Sequence, residues 1–338
     1  MEGNNPFQVV WLPDDERDRY LTRVQALAQE RGYRPPQPQI VFEGNAPAEV
    51  QKNRPLHDLL TAEGWPAPSR RVSAWLGEPI AIKDPTAAHF RRQSGSNLLI
   101  VGQNDEAAMG MLTTALVSLA AQYPISNTQF YILDFSPMDA LYADLLLRLV
   151  DLLPHPVQRG RRRELPGIIA EITAEVDRRL EEEETALWKR PATYLLVYGL
   201  QRARDLRQEE DFGFSLGMPG DDETPPSPAQ QFPTILREGP DLGVHTLVWC
   251  DTYTNLTRTL DRRALREFEM RAVFQMSAED SANLIDMPAA SKLGPYRALF
   301  YSEEEVRLEK FRPYNPPAED WLAWVGERLQ GKEATQDG

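Results

Sequence analysis

One cysteine, Cys250, stands among 338 residues, so neither an intramolecular disulfide nor a cysteine-cluster metal site can form. A lone thiol fits a reducing compartment. Histidine is almost as scarce: His57, His89, His155 and His245 are scattered without metal-ligand spacing, and no metal site is expected. No apolar run reaches the roughly 18 residues of a transmembrane helix. The opening residues, MEGNNPFQVVW, lack the basic and apolar regions of a signal peptide. A cytoplasmic chain without membrane insertion of its own is therefore expected, any anchor lying elsewhere in a longer protein. Positive charge is in deficit. Thirty-seven Lys and Arg against 51 Asp and Glu give a net charge of −14, which excludes bulk coating of nucleic acid but not a local basic groove.

What is present is a core. Hydrophobic residues make up 41% of the chain, with 7 Trp, 12 Phe and 11 Tyr. At roughly 150 residues per domain the length corresponds to about two domains, or to one large α/β domain with an attachment. Residues 1–72 are rich in proline and charge and read as a linker or attachment region. Asp14 or Asp15 is placed to cap a helix reaching about Arg31, with Tyr20, Leu21, Val24, Leu27 and Ala28 on its apolar face. A short strand is expected at Gln39 to Phe42. A helix from Ala46 to Thr61 should be kinked or split by Pro55, and a strand pair is expected within Val72 to Ile82.

From residue 97 buried strands alternate with amphipathic helices. Strands are expected at Asn97–Val101, Phe130–Leu133, Tyr194–Tyr198 and Val244–Trp249. One helix presents Met109, Leu112, Ala115, Leu116 and Leu119, and another stacks Leu165, Ile168, Ile169, Ile172, Val176 and Leu180. This order implies an α/β fold, a mostly parallel sheet covered on both faces. The stretch 208–230 is acidic and rich in glycine and proline, and reads as a surface loop. The segments AVFQM, RALFY and VRLEKF supply three more short strands. A helix from about Asp320 to Leu329, carrying Trp321 and Trp324 on its core side, opens the C-terminal region 313–338.

A buried strand ending in glycine before a helix is the setting of a phosphate-binding loop, G-x-x-x-x-G-K-[ST]. Here the window reads Gly102-Gln103-Asn104-Asp105-Glu106-Ala107-Ala108-Met109. The first glycine is kept. Ala107 replaces the second, Ala108 the lysine and Met109 the hydroxyl residue. Asp105 and Glu106 stand where polyphosphate would pass. The simplest account of the window on its own is an ordinary strand–turn–helix unit.

The ordered set of segments resembles the motor domain of the FtsK/SpoIIIE family of RecA-like translocases, which includes the EccC ATPases of type VII secretion. The resemblance covers about residues 73–312. AWLGEPIAIKDPTAAHFRRQSGSNLLIVG is similar to the lead into the P-loop strand, and FYILDFSPMDAL to the second strand with its Asp-Pro-Lys-like turn. PATYLLVYGLQRARDL takes the place of the Walker B strand. LREGPDLGVHTLVWCDT resembles an arginine-rich helix, a Gly-[IV]-His turn and the sensor strand, and EMRAVFQMSAEDSANLIDMPAASKLGPYRALFY the closing segment. The resemblance implies a RecA-like P-loop core. Walker B should end in an acid that holds magnesium, yet this strand ends in Tyr198-Gly199. With both anchors lost, the domain reads as a degenerate copy without catalytic residues and without ATP or magnesium, which intact members bind.

The resemblance also places Asp251 and Thr252 at the sensor position. It makes Arg237 and Arg271 candidates to reach a neighbour's γ-phosphate; the plainer account of each is a surface or packing arginine. Arg159, Arg161, Arg162 and Arg163 read as a solvated cluster, or one able to touch DNA or an acidic neighbour. His245 reads as a satisfied core histidine and Cys250 as inert. A weak likeness between the two ends of the chain makes residues 1–12 candidates for the last strand of a preceding copy.

The expectation is thus a non-hydrolysing module of a multi-domain translocase. Its partners would be other ATPase domains of the same protein or ring, and the machine's cargo peptide or DNA. The alternatives are an active ATP-driven DNA or protein motor with a non-standard site, and a peptide-binding module that uses the empty nucleotide cleft.

Overall fold

The computed structural model describes residues 10–34, 46–143, 145–182, 190–208 and 226–336. The chain divides into two compact units, residues 1–44 and 45–338. In the first, helix α1 (Asp14–Glu30) begins at Pro13, which offers no side-chain cap. Asp14, Asp15 and Glu16 therefore lie inside the first turn and act on the helix dipole rather than as caps. The expected strand at residues 39–42, and residues 1–9 of the expected terminal strand, lie outside the described residues.

In the second unit only the latter half of the helix expected over Ala46–Thr61 forms, as α2 (Arg54–Thr61), preceded by a single 3₁₀ turn at Val50–Lys52. Asn53 Oδ1 accepts from the Leu56 amide at 2.9 Å, and Pro55 sits in the first turn, where its missing N–H costs nothing. Proline here starts a helix instead of breaking one. Strand β1 (Val72–Pro79) fills most of the span expected to hold a pair, and its partner β2 (Thr86–Phe90) comes later.

The remaining strands are β3 (Leu98–Val101), β4 (Thr128–Asp134), β5 (Val157–Gly160), β6 (Ala192–Tyr198), β7 (Val244–Cys250), β8 (Met270–Val273), β9 (Ala298–Ser302) and β10 (Arg307–Pro313). They form one ten-stranded sheet in the order β2-β1-β10-β9-β8-β3-β7-β6-β4-β5. From β8 to β5 every pairing is parallel; from β8 to β2 every pairing is antiparallel. Strand β3 is central, flanked by β7 and β8, as expected of the strand that ends in Gly102.

Helices α3 (Asp105–Gln122), α4 (Leu145–Leu152) and α10 (Glu319–Gln336) join α2 on one face. Helices α5 (Leu165–Leu180), α6 (Pro228–Glu238), α7 (Tyr253–Leu256), α8 (Arg262–Arg266) and α9 (Ala278–Ile285) cover the other. Strand alternation sorts side chains between the layers: Leu98 and Ile100 face α3, Leu99 and Val101 face α5. Helix α6 starts at Pro228 with a Ser227–Gln230 capping box, so the acidic loop ends before residue 230; its residues 209–225 lie outside the described residues. Helices α4 and α9 and edge strand β5 were not legible as separate elements. No helix among the described residues is long and apolar enough to cross a membrane.

The boundaries expected at residues 72 and 312 do not mark breaks in packing. Leu56 and Leu60 of α2, and Trp321, Leu322 and Val325 of α10, enter the same core as α3. Tyr314 makes a parallel bridge to Ala48. The buried Lys332 of α10 donates to the carbonyls of Ala62 at 2.7 Å and Gly64 at 2.8 Å.

Helix α3 is buried all round from Ala107 to Ala121, not on one face only. Gly110 makes this possible: a Cβ there would stand 2.2 Å from the Tyr314 carbonyl oxygen and 2.4 Å from the Asn315 carbonyl carbon. Gly110→Ala should destabilise the fold by about 1–3 kcal/mol, as overpacking of a rigid interior does. In α5, Gly167 has nothing within 4 Å of a built Cβ, so Gly167→Ala should raise the thermal midpoint. Thermal unfolding of the two variants beside the parent checks the pair, and opposite signs are expected.

Candidate functional site

Open α/β sheets bind ligands at the carboxyl ends of their parallel strands. In this chain that edge collects Gly102 after β3, Asp134 ending β4, Tyr198 ending β6, Asp251 after β7 and Phe274 after β8. Strand β3 reaches α3 in three residues. Gly102 adopts φ +133°, and a Cβ there would lie 2.7 Å from Phe274 Cβ. The Asn104 amide donates back to the Gly102 carbonyl at 3.0 Å, so the turn is closed on itself.

Asn104 is the N-cap of α3. Its Oδ1 accepts from the Ala107 amide at 3.0 Å, and its carbonyl accepts from the Ala108 amide at 3.0 Å. The Glu106 amide donates to Asp105 Oδ1 at 3.0 Å. Helix N–H groups that would cradle a phosphate are thus occupied by the chain's own oxygens. Ala107, Ala108 and Met109 are buried in the core. Glu106 accepts a hydrogen bond from Tyr142 at 3.1 Å. Gln103 completes the turn at its exposed tip.

Two aromatic rings close over this turn. Tyr198 donates its hydroxyl to the Asp105 carbonyl at 3.2 Å, and Trp249 Nε1 donates to the Gly102 carbonyl at 3.2 Å. Their ring centroids are 4.5 Å apart. Burial, then the charges of Asp105 and Asp134, push the Tyr198 phenol above its ordinary range, which keeps it a neutral donor. Gly199 comes next in the left-handed region at φ +86°, turning the chain away from the edge. Asp134 lies opposite Tyr198 in register, and its Oδ1 accepts from Ser136 N at 2.8 Å and Ser136 Oγ at 2.5 Å.

Asp251 and Thr252, expected at a sensor position, make local contacts. Thr252 caps the single turn of α7 through the Asn255 amide at 3.2 Å, and Asp251 accepts from Asn255 Nδ2 at 2.8 and 3.1 Å. Arg271 does not reach outward. It is buried, and its guanidinium donates to the carbonyls of Leu265, Phe268 and Leu284 at 3.1, 2.8 and 2.6 Å, clamping α8 to α9. As a trans arginine it is corrected by its own carbonyl cage. Arg237 is 60% exposed in the last turn of α6 and pairs with Glu238 at 2.7 Å. Arg159 pairs with Asp151 at 3.5 Å and Arg162 with Asp205 at 3.7 Å, as a solvated cluster would. His245 Nδ1 donates to the Ser96 carbonyl at 2.8 Å, and burial pushes the Cys250 thiol up to about 12.

Trp249, Phe274 and Tyr142 were missed as members of this edge; nothing in their local sequence marks them.

No family model and no curated protein matches the chain. Solved structures do. EssC (ATPases 2 and 3) from Geobacillus thermodenitrificans superposes with TM-score 0.53 at 15% identity, covering 90% of this chain and 52% of that one. The cytoplasmic domain of the Thermomonospora curvata type VII secretion ATPase EccC gives TM-score 0.57 at 17% identity, covering 84% and 34%. The pCW3 conjugation coupling protein TcpA, solved with ATPγS, gives 0.52 at 12% identity, covering 80% and 74%. The chain therefore has the RecA-like P-loop ATPase fold of these proteins, and it spans about half of EssC ATPases 2 and 3 and a third of the EccC domain.

The histidines of this unit bear on acid stability. Burial lowers the pKa of His245 and of His89 from 6.5 to about 4. Unfolded, each binds a proton near pH 6.5; folded, each stays neutral until about pH 4. Their contribution is complete above pH 6.5 and is lost as pH falls toward 4. Urea midpoints measured at pH 7 and at pH 4.5 should show a smaller acid-induced fall for His245→Gln than for the parent.

Proposed function

We propose that this chain is a non-hydrolysing module of a larger translocase of the FtsK/SpoIIIE type, retained for structure, regulation or substrate recognition rather than for turnover. The observation that carries the reading is the occupied turn. The amides of Ala107 and Ala108 bind Asn104, and the carbonyls of Gly102 and Asp105 bind Trp249 and Tyr198. The residues present do not fit a magnesium–nucleotide complex there. No lysine follows the turn, no carboxylate ends β6, and the first turn of α3 begins with two acids.

The partners of such a module are further ATPase domains of the same protein, and its cargo is protein or DNA according to the machine it serves. One EccC structure with the same fold carries a signal sequence peptide, with TM-score 0.57 at 16% identity. That likeness makes peptide the favoured cargo class. A cytoplasmic setting follows from the same reading. Arg237 is the remaining arginine for a neighbour's site, since Arg271 is committed inside.

The purified chain should show no magnesium-dependent ATP turnover above background. Restoring the missing groups should not help. Ala108→Lys places an ammonium at a position with 0% exposure, so it should lower the thermal midpoint and leave turnover at background. Phosphate release assays on the parent, on Ala108→Lys and on Met109→Thr give the answer. Turnover in the parent, or its appearance in either variant, overturns the reading.

A further inference from the structure

At the end of the sheet away from the Gly102 turn, where β6 and β7 begin and α3 stops, there is a cavity of about 400 Å³. Its walls are drawn from five separate stretches of chain, near residues 68–72, 90–92, 122–127, 190–192 and 243–245. Four of the lining residues are Arg70, Arg91, Arg92 and Arg190, and none of the described lining residues is Asp or Glu. In a chain of net charge −14, this is a local reversal of sign.

The acids that pair with Arg190 and Arg91 are not among the lining residues. Glu182 accepts from Arg190 Nε at 2.8 Å and also from one of its Nη atoms; Glu304 accepts from Arg91 at 3.0 Å, and Glu305 lies at 3.5 Å. Such pairs fix the guanidinium planes without entering the cavity. Arg92 is held by carbonyls, Leu242 O at 3.1 Å and Arg190 O at 2.7 Å. Gly243 lets it lie against the backbone, since a Cβ there would be 2.7 Å from Arg92 Cζ. Burial and the charge of Arg179 hold Arg92 below the ordinary arginine range, a cost that an anion nearby would reduce.

Tyr123 is the ring partly open to the cavity, and buried aromatics hold it from behind. Phe90 is packed at 5.5 Å edge-on to Tyr194 and at 5.3 Å to His245, and Tyr123 shares a hydroxyl hydrogen bond of 3.1 Å with Tyr194. An aromatic ring fixed from behind beside a few placed polar groups, in a volume between about 300 and 1,000 Å³, suits a small-molecule site. Arginine forks match planar oxyanions in pairs of hydrogen bonds.

We propose that this cavity binds a small organic anion in which a planar ring carries a carboxylate or phosphate head. The head lies among Arg70, Arg91 and Arg92, and the ring against the half-buried Tyr123. Occupancy would join the segment before β1 to the end of α3 and the start of β6. The site is independent of the Gly102 turn, at the other end of the strands.

Calorimetric titration of the full chain with phenyl phosphate, benzoate and inorganic phosphate tests this. One of the two ring-bearing probes should bind at a single site with a dissociation constant below about 1 mM. It should bind at least about tenfold more tightly than inorganic phosphate, a difference of about 1.4 kcal/mol. Preference for phenyl phosphate assigns a phosphate head, preference for benzoate a carboxylate. Arg70→Gln and Arg91→Gln should each weaken binding at least about fivefold, the order of one charge-assisted hydrogen bond, while Arg159→Gln on edge strand β5 should not. Arg70 is on the surface, so its variant reports even if Arg91→Gln fails to fold. Absence of binding by both ring probes, equal binding of inorganic phosphate, or affinity unchanged by Arg70→Gln overturns the proposal. None of these probes reads ATP turnover, so this inference and the pseudo-ATPase reading can fail separately.

Discussion

Strand β3 has parallel partners on both edges and side chains packed on both faces, and this confinement governs the turn into α3. Leu98, Leu99, Ile100 and Val101 are fully buried, so the backbone can leave only at the open carboxyl edge. There Phe274, from the neighbouring strand, stands so close that residue 102 must be glycine. Three residues later α3 has begun, fully sheathed by the core. A phosphate loop needs slack between strand and helix. Here a closed Asn104 turn uses up the slack, and Tyr198 and Trp249 occupy the rim. The chemistry of the edge is set by packing that starts one layer below it.

The parallel half of this architecture was legible because its code is local. Runs such as Leu98–Val101 and Tyr194–Tyr198 are apolar on both alternations, which only a strand buried on both faces requires. The antiparallel wing was harder, because its strands are defined by partners far along the chain. Strand β1 pairs with both β2 and β10, and nothing near Val72 announces residue 313. Pro55 misled for a physical reason: proline breaks a helix interior but fits the first turn, and Asn53 before it supplied the cap that settles which applies.

Site residues divided along the same line. The window Gly102 to Met109 could be read in one place. The rings packed against its first residue, Trp249 and Phe274, come from more than 140 residues downstream of Gly102 and carry no mark of that task. Arg271 shows the limit of reading a residue type. An arginine at a strand start is compatible with a finger or a clamp, and three carbonyls decide for the clamp. The arginine-lined cavity was invisible for the strongest reason: its walls come from five stretches, and the net charge of the chain points the other way.

The polar ties of the antiparallel wing are long-range. Tyr314 donates its hydroxyl to Glu78 at 2.7 Å and accepts from Asn53 at 3.1 Å; the buried Glu309 is held by Thr86 and by Lys83 at 3.0 Å. Lys332 completes the set by gripping the carbonyls of residues 62 and 64. During synthesis these partners are separated by the whole nucleotide-fold core. Leu56, Leu60 and β1 gain β2 and α3 early, but the side that meets β10 and α10 stays uncovered until those elements emerge more than 230 residues later. Such high contact order makes assembly of this wing slow and late. A stalled or shortened nascent chain is therefore a more hazardous species than a mutated finished one, and the last turns of α10 act as the latch whose arrival ends the exposure.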